Sequence, residues 1–106
     1  MRRDRLSGDY HEALIKHLKD PAEQAAYLNA VLAEGDRKLL LKALRNVAEA
    51  SGGIQRLATR SRLSRENLYR MLSDKGNPEL SSLDRIMRSL GLSLRVEPVR
   101  KHASAH

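Results

Sequence analysis

Between residues 63 and 83 the chain reads LSRENLYRMLSDKGNPELSSL, and its cations are spaced for contact with a polyanion. If Ser64 caps a helix, Arg65 and Glu66 are its first two residues and Arg70 its sixth, about one and a half turns on. Arg65, Glu66, Tyr69 and Arg70 then project outward while Leu68 and Leu72 face in. Leu63, just before the cap, can staple onto Leu68 and fix the entry angle. An arginine presents two parallel donors to O6 and N7 of guanine, and each such pair is worth about 1–3 kcal/mol of discrimination. Glu66 can accept from cytosine N4, or simply be a carboxylate favoured at a helix N-terminus. Tyr69 can reach a phosphate or pack on the neighbouring helix. Arg56, Arg60, Arg62 and Lys75 are generic phosphate contacts at most, since charge on a short helix usually marks a solvated face. Met71 reads as core.

Other chemistry is poorly represented. There is no cysteine, which removes disulfides, thiolate nucleophiles and cysteine-ligated zinc. His11 and His17 are six apart and read as solvated helix positions, and His102 and His106 lie in a tail with no nearby carboxylate. No phosphate-binding loop, nucleophile elbow or cluster of carboxylates with catalytic spacing occurs. The expectation is a protein that is not an enzyme and holds no cofactor or metal.

The charge is unevenly placed. Residues 1–35 carry five Lys/Arg against six acids, a net of −1, and residues 36–106 carry fifteen against seven, a net of +8. A field of that sign over the second part attracts polyanions, nucleic acid above all. The 106 residues suffice for one small domain. No apolar run approaches the ~18 residues of a membrane span, and MRRDRLSGDYHE lacks the apolar segment of a secretory signal. A soluble, cytoplasmic, nucleoid-associated protein without membrane contact is expected.

The elements that must position the cations are helical. Asp9 caps a first helix with Tyr10, Leu14 and Leu18 at four-residue spacing. Asp20-Pro21-Ala22-Glu23 is a clearer start, with an acceptor at the cap, proline in the first turn and glutamate at the third position. Gly35 closes that helix and Asp36 caps the next. This third helix, about Arg37 to Ala50, sets Leu40, Ala43, Leu44, Val47 and Ala48 on one face and Lys38, Lys42, Arg45 and Glu49 on the other. After Ser51-Gly52-Gly53, a short helix over 54–61 and the helix after Ser64 meet across a tight turn, a helix-turn-helix pattern. Ser82 caps a last helix with Leu83, Ile86, Met87 and Leu90, which Gly91 ends. Beyond it Leu92, Leu94 and Val96 alternate with Ser93, Arg95 and Glu97, which predicts one strand stopped by Pro98. MRRDR and KHASAH read as frayed ends.

These segments resemble a known family. The run DPAEQAAYLNAVLAEGD, followed by LLLKALRNVAEASGGIQRLA and LSRENLYRMLSDKGNPELSSLDRIMRSLGLSLRVEP, is similar to the antidote proteins of bacterial addiction modules, over roughly residues 9–98. The resemblance implies a helix-turn-helix of the phage-repressor type, a RelE-like or ParE-like toxin as partner, and repression of its own operon as a dimer on operator DNA. One position departs from the pattern. Repressor-type motifs usually have glycine immediately before the Leu-Ser, where this chain has Arg62; in a left-handed turn arginine costs about 1 kcal/mol relative to glycine.

The fold expected is therefore all-α, a helix-turn-helix bundle with extra N-terminal helices and one short C-terminal β-strand. It forms a single domain: N-terminal helices over 9–35 for toxin contact, with Tyr10 and Tyr27 as anchors, a DNA-binding core over 36–91, a dimerising strand over 92–98 and a tail over 99–106. A lone strand leaves its ladder groups unpaired, so the strand is expected to pair with that of a second copy through Leu92, Leu94 and Val96. Two other readings stand beside the antitoxin: a regulator with no toxin, and a protein-interaction module, against which Arg65 and Arg70 argue.

Overall fold

The structure, a computed structural model, describes residues 2–99, with side chains described from Gly8 onward. Those residues form six helices: α1 (Arg2–His17), α2 (Pro21–Glu34), α3 (Arg37–Ala50), α4 (Ile54–Ser61), α5 (Arg65–Met71) and α6 (Leu80–Ser89). Each boundary has a local cause. Asp20 accepts from the Ala22 amide at 3.0 Å with Pro21 at the first helical position, and Gly35 ends α2 in the left-handed region at φ 71°. Asp36 accepts from the Leu39 amide at 3.2 Å and starts α3. Gly52 and Gly53, at φ 110° and 93°, turn the chain into α4.

The central element is α3. It buries Leu41, Ala43, Leu44, Val47 and Ala48; α1 and α2 pack on it from one side, while α4 joins it to α5 and α6 on the other. One core results, in which Leu18, Leu28, Leu41, Leu44, Val47, Leu57, Leu68, Leu72, Ile86 and Met87 are all buried. A buried Gln24 ties three helix ends together, its Nε2 donating to the Leu18 carbonyl at 2.8 Å and to the Ser51 hydroxyl at 3.0 Å.

Three expectations need correction. The first helix does not start at Asp9: α1 runs from Arg2 through it. The four-residue spacing of Tyr10, Leu14 and Leu18 reaches back to Leu6, and the single Gly8 between costs a helix only about 1 kcal/mol. Ser82 does not cap α6, which begins at Leu80 after an extended Glu79. The Leu83 amide bonds the Glu79 carbonyl at 2.9 Å, so Ser82 lies inside the first turn.

The third correction concerns the C-terminal strand. Among the described residues there is no strand, and residues 92–98 have no regular secondary structure. Gly91, at φ 82°, turns the chain out of α6, the Leu92 amide bonds the Met87 carbonyl at 2.8 Å, and Leu92 and Leu94 lie half-buried against the core while Val96 is exposed. A period of two reports an extended segment with one face covered; a strand also needs a neighbour in a ladder. The alternation of Leu92 and Leu94 with Ser93 and Arg95 is that of a strap laid on its own domain. The argument for pairing two copies through this segment loses its strand, and two of its three contact residues are occupied within the chain.

Candidate nucleic-acid interface

Leu57 of α4 and Leu68 and Leu72 at α5 are buried, and α4 packs against both α5 and α6. The turn between them is closed by its own residues. The Arg62 amide bonds the Ala58 carbonyl at 3.0 Å and ends α4; buried Ser61 accepts from the Leu63 amide at 3.3 Å, and Ser64 accepts from the Asn67 amide at 3.1 Å, which caps α5. Arg62 has φ 62°, the single positive φ outside glycine among the described residues. The left-handed turn is therefore made by an arginine, with the strain of about 1 kcal/mol that a Cβ brings there.

The outer face of α5 carries Arg65, Glu66, Asn67, Tyr69 and Arg70, all exposed. Arg56 and Arg60 on α4, Arg62 in the turn and Lys75 beyond α5 are exposed as well. None of these six cations forms a salt bridge among the described residues. The nearby acid Asp74 is engaged elsewhere. Arg45 of α3, half-buried, reaches its Oδ1 with Nη2 at 3.0 Å and donates with Nη1 to the Leu72 carbonyl. One side chain thus satisfies the end of α5 and neutralises the carboxylate beside the basic face.

Below α5 the loop 73–79 is pressed close to the helix end. Gly76 is buried, and a Cβ built on it would stand 2.0 Å from the Met71 carbonyl oxygen. Only glycine fits this approach, and it sets Lys75 beside Arg70 on an open cleft of about 460 Å³ that Asn67, Asn77 and Ser82 also line. Tyr69 points to the other side, along a smaller cleft of about 250 Å³ with Ile54 and Leu72.

All eight residues expected to touch DNA (Arg56, Arg60, Arg62, Arg65, Glu66, Tyr69, Arg70 and Lys75) are exposed on the segment from α4 to the loop after α5. Three contributors were not marked for this site by the sequence. Arg45 looked like one more charge on a solvated face, since its partners lie 27 and 29 residues away. Gly76 has no local pattern that announces its close approach to the Met71 carbonyl. Asn67, between Glu66 and Leu68, is an uncharged amide whose role depends on Arg70 one turn on. Among the described residues no group of three His, Cys, Asp or Glu side chains could hold a metal ion, and no helix is long and apolar enough to cross a membrane.

The N-terminal helices present a different surface. Tyr10 is 78% exposed on α1. Tyr27 is not free: it is half-buried, and its hydroxyl accepts from Asn46 Nδ2 at 3.0 Å, so of the two aromatic anchors expected there it is spent inside. His11 lies 3.1 Å from Glu49 of α3, and His17 lies 2.9 Å from Glu23 of α2; His102 and His106 fall outside the described residues.

Residues 11–98 match the model of a family described as probable addiction module antidote proteins. The chain belongs to that family. An antidote implies a toxin as partner, and the family's description leaves the toxin's type open. An uncharacterized protein of Haemophilus influenzae (strain Rd) is 35% identical to this antidote-family chain over 87 residues, which cover 82% of the chain and 89% of the relative. No solved structure matches. The matched span runs from within α1 to the end of the extended strap and takes in the whole basic face, while Tyr10 falls just outside it.

Proposed function

We propose that the chain is the DNA-binding antitoxin of a bacterial toxin–antitoxin module, neutralising a RelE-like or ParE-like toxin and repressing its own operon, with α4 and α5 as a helix-turn-helix of the phage-repressor type. The observation that carries the DNA half of this reading is the set of six exposed cations without a carboxylate partner on and beside α5, next to an acid that Arg45 has already taken up. In the proposed docking the first turn of α5 enters the major groove, Arg65 and Arg70 read guanines, Glu66 accepts from a cytosine, and Arg56, Arg60, Arg62, Tyr69 and Lys75 contact phosphates.

The toxin half rests on the family and on the contrast in surface. Residues 1–35 carry a net charge of only −1, and the exposed Tyr10 is the kind of aromatic anchor that carries protein contacts. Two copies bound about 34 Å apart on a palindromic operator complete the reading. Of the residues first expected at the dimer interface, Val96 is the one whose side chain is still free to meet a second copy.

Fluorescence anisotropy on the chain's own promoter tests the DNA half. Arg65→Ala should weaken operator binding by about 1–3 kcal/mol and binding to random duplex much less. Equal losses on both duplexes would reduce Arg65 to a phosphate contact.

A further inference from the structure

Glu66 and Arg70 are four residues apart on α5 with the acid on the N-terminal side, the order in which a carboxylate and a guanidinium pair best on a helix. They do not pair. Among the described residues Arg70 has no carboxylate within salt-bridge distance; its Nη2 donates to Asn67 Oδ1 at 2.9 Å, one turn back. The Asn67 backbone amide is in turn held by the Ser64 hydroxyl, which fixes its place in the first turn. With Leu68 and Leu72 turned to the core, helical geometry puts Glu66 and Arg70 nearest the outermost line of α5 and Asn67 on the flank that faces the cleft with Lys75.

We infer that Asn67 is a positioning residue for base reading: by engaging one edge of the Arg70 guanidinium it keeps that side chain off Glu66, so that the cation and the acid both meet DNA unpaired. The inference rests on α5 being the DNA-reading helix. A guanidinium has five donors, so one bond to Asn67 leaves enough for the two-point contact to O6 and N7 of guanine. Without Asn67, Arg70 falls to Glu66, and that single pair withdraws a donor and an acceptor from the groove together. Fixing the guanidinium beforehand also reduces the rotamer freedom lost on binding. The amide oxygen of Asn67 is engaged by Arg70, and in this role Asn67 acts through Arg70.

The test uses the full chain with operator and scrambled duplexes at two salt concentrations, read by fluorescence anisotropy alongside thermal melts, for N67A, R70A, E66Q, N67A/R70A and E66Q/N67A. R70A should weaken operator binding about tenfold and N67A about threefold, fractions of the discrimination an arginine–guanine pair provides. N67A should add nothing to R70A, should lose most of its effect in the E66Q background, and should leave the melting temperature, the salt slope and scrambled-duplex binding unchanged. An N67A variant that binds operator like the wild type, while R70A loses specificity, overturns the role of Asn67 and leaves the reading of α5 intact. Additive losses in N67A/R70A overturn it too, by showing that Asn67 touches DNA itself. If N67A lowers the melting temperature and weakens both duplexes alike, Asn67 is structural only and the inference fails. If R70A weakens both duplexes equally, the reading of α5 fails and takes this inference with it.

Discussion

The two ends of the bundle use polar side chains in opposite ways. In α1 and α2 they bridge between elements: His11 reaches Glu49, His17 reaches Glu23, Gln24 bonds Leu18 and Ser51, and Tyr27 bonds Asn46. In α4 and α5 the polar bonds are spent on caps within the turn, and the cations are left outward. The N-terminal helices are tied to α3 by side chains; α5 is tied by Leu68, Leu72 and Arg45. Residues 1–35 carry a net charge of −1 and so offer little to a polyanion. On either side of the same central helix the chain thus presents a near-neutral, bridged surface and a densely cationic one.

The largest effect that would break this separation is expected at Gly76. An alanine there would drive its Cβ into the Met71 carbonyl, so the loop must lift off α5. Gly76→Ala is expected to cost about 2–3 kcal/mol, a fall in melting temperature of about 10–20 °C, with operator binding lost before toxin binding as temperature rises. A melt unchanged from wild type would mean that the loop has room to move.

Next in size is Tyr10, the exposed aromatic of α1. Tyr10→Ala should reduce toxin affinity by about 2 kcal/mol in titration calorimetry with the partner toxin and leave operator affinity unaltered. An effect on the operator instead would erase the contrast between the two ends.

Arg45 sharpens the comparison from the middle. Removing its bonds to the Leu72 carbonyl and Asp74 should destabilise the fold by about 1–2 kcal/mol, and the released Asp74 should weaken binding to operator and random duplex to the same degree. Chemical denaturation and anisotropy on Arg45→Ala measure both.

The smallest effect carries a sign test. Arg62→Gly relieves the left-handed strain and should stabilise the chain by about 1 kcal/mol, raising the melting temperature by about 4–8 °C, while it weakens DNA binding by the loss of one phosphate contact and lowers the salt slope by about one unit. A stabilised variant with undiminished DNA binding would remove Arg62 from the interface.

What the sequence made legible was whatever a few neighbouring residues decide. Asp20-Pro21, Gly35, Asp36 and Ser64 mark helix ends because a cap is closed within three residues, and Arg62 betrays its left-handed turn by standing where glycine is usual. Leu92 and Leu94 misled for a physical reason: alternation reports a covered face and says nothing about what covers it, here the domain's own core. The start of α6 was hidden because Leu80, 74% exposed, does not belong to the apolar face that reveals a helix. Arg45, Gly76 and Tyr27 depend on partners brought close by the fold, and no local pattern announces them.

The central claim, that the α4–α5 face and not the N-terminal helices receives DNA, is tested most directly by hydrogen exchange of the chain with and without its operator duplex. Protection on DNA binding should concentrate in residues 54–79, strongest around the turn at 61–67, with residues 10–34 exchanging as in the free protein. Protection confined to residues 10–34, with 54–79 unchanged, would contradict it.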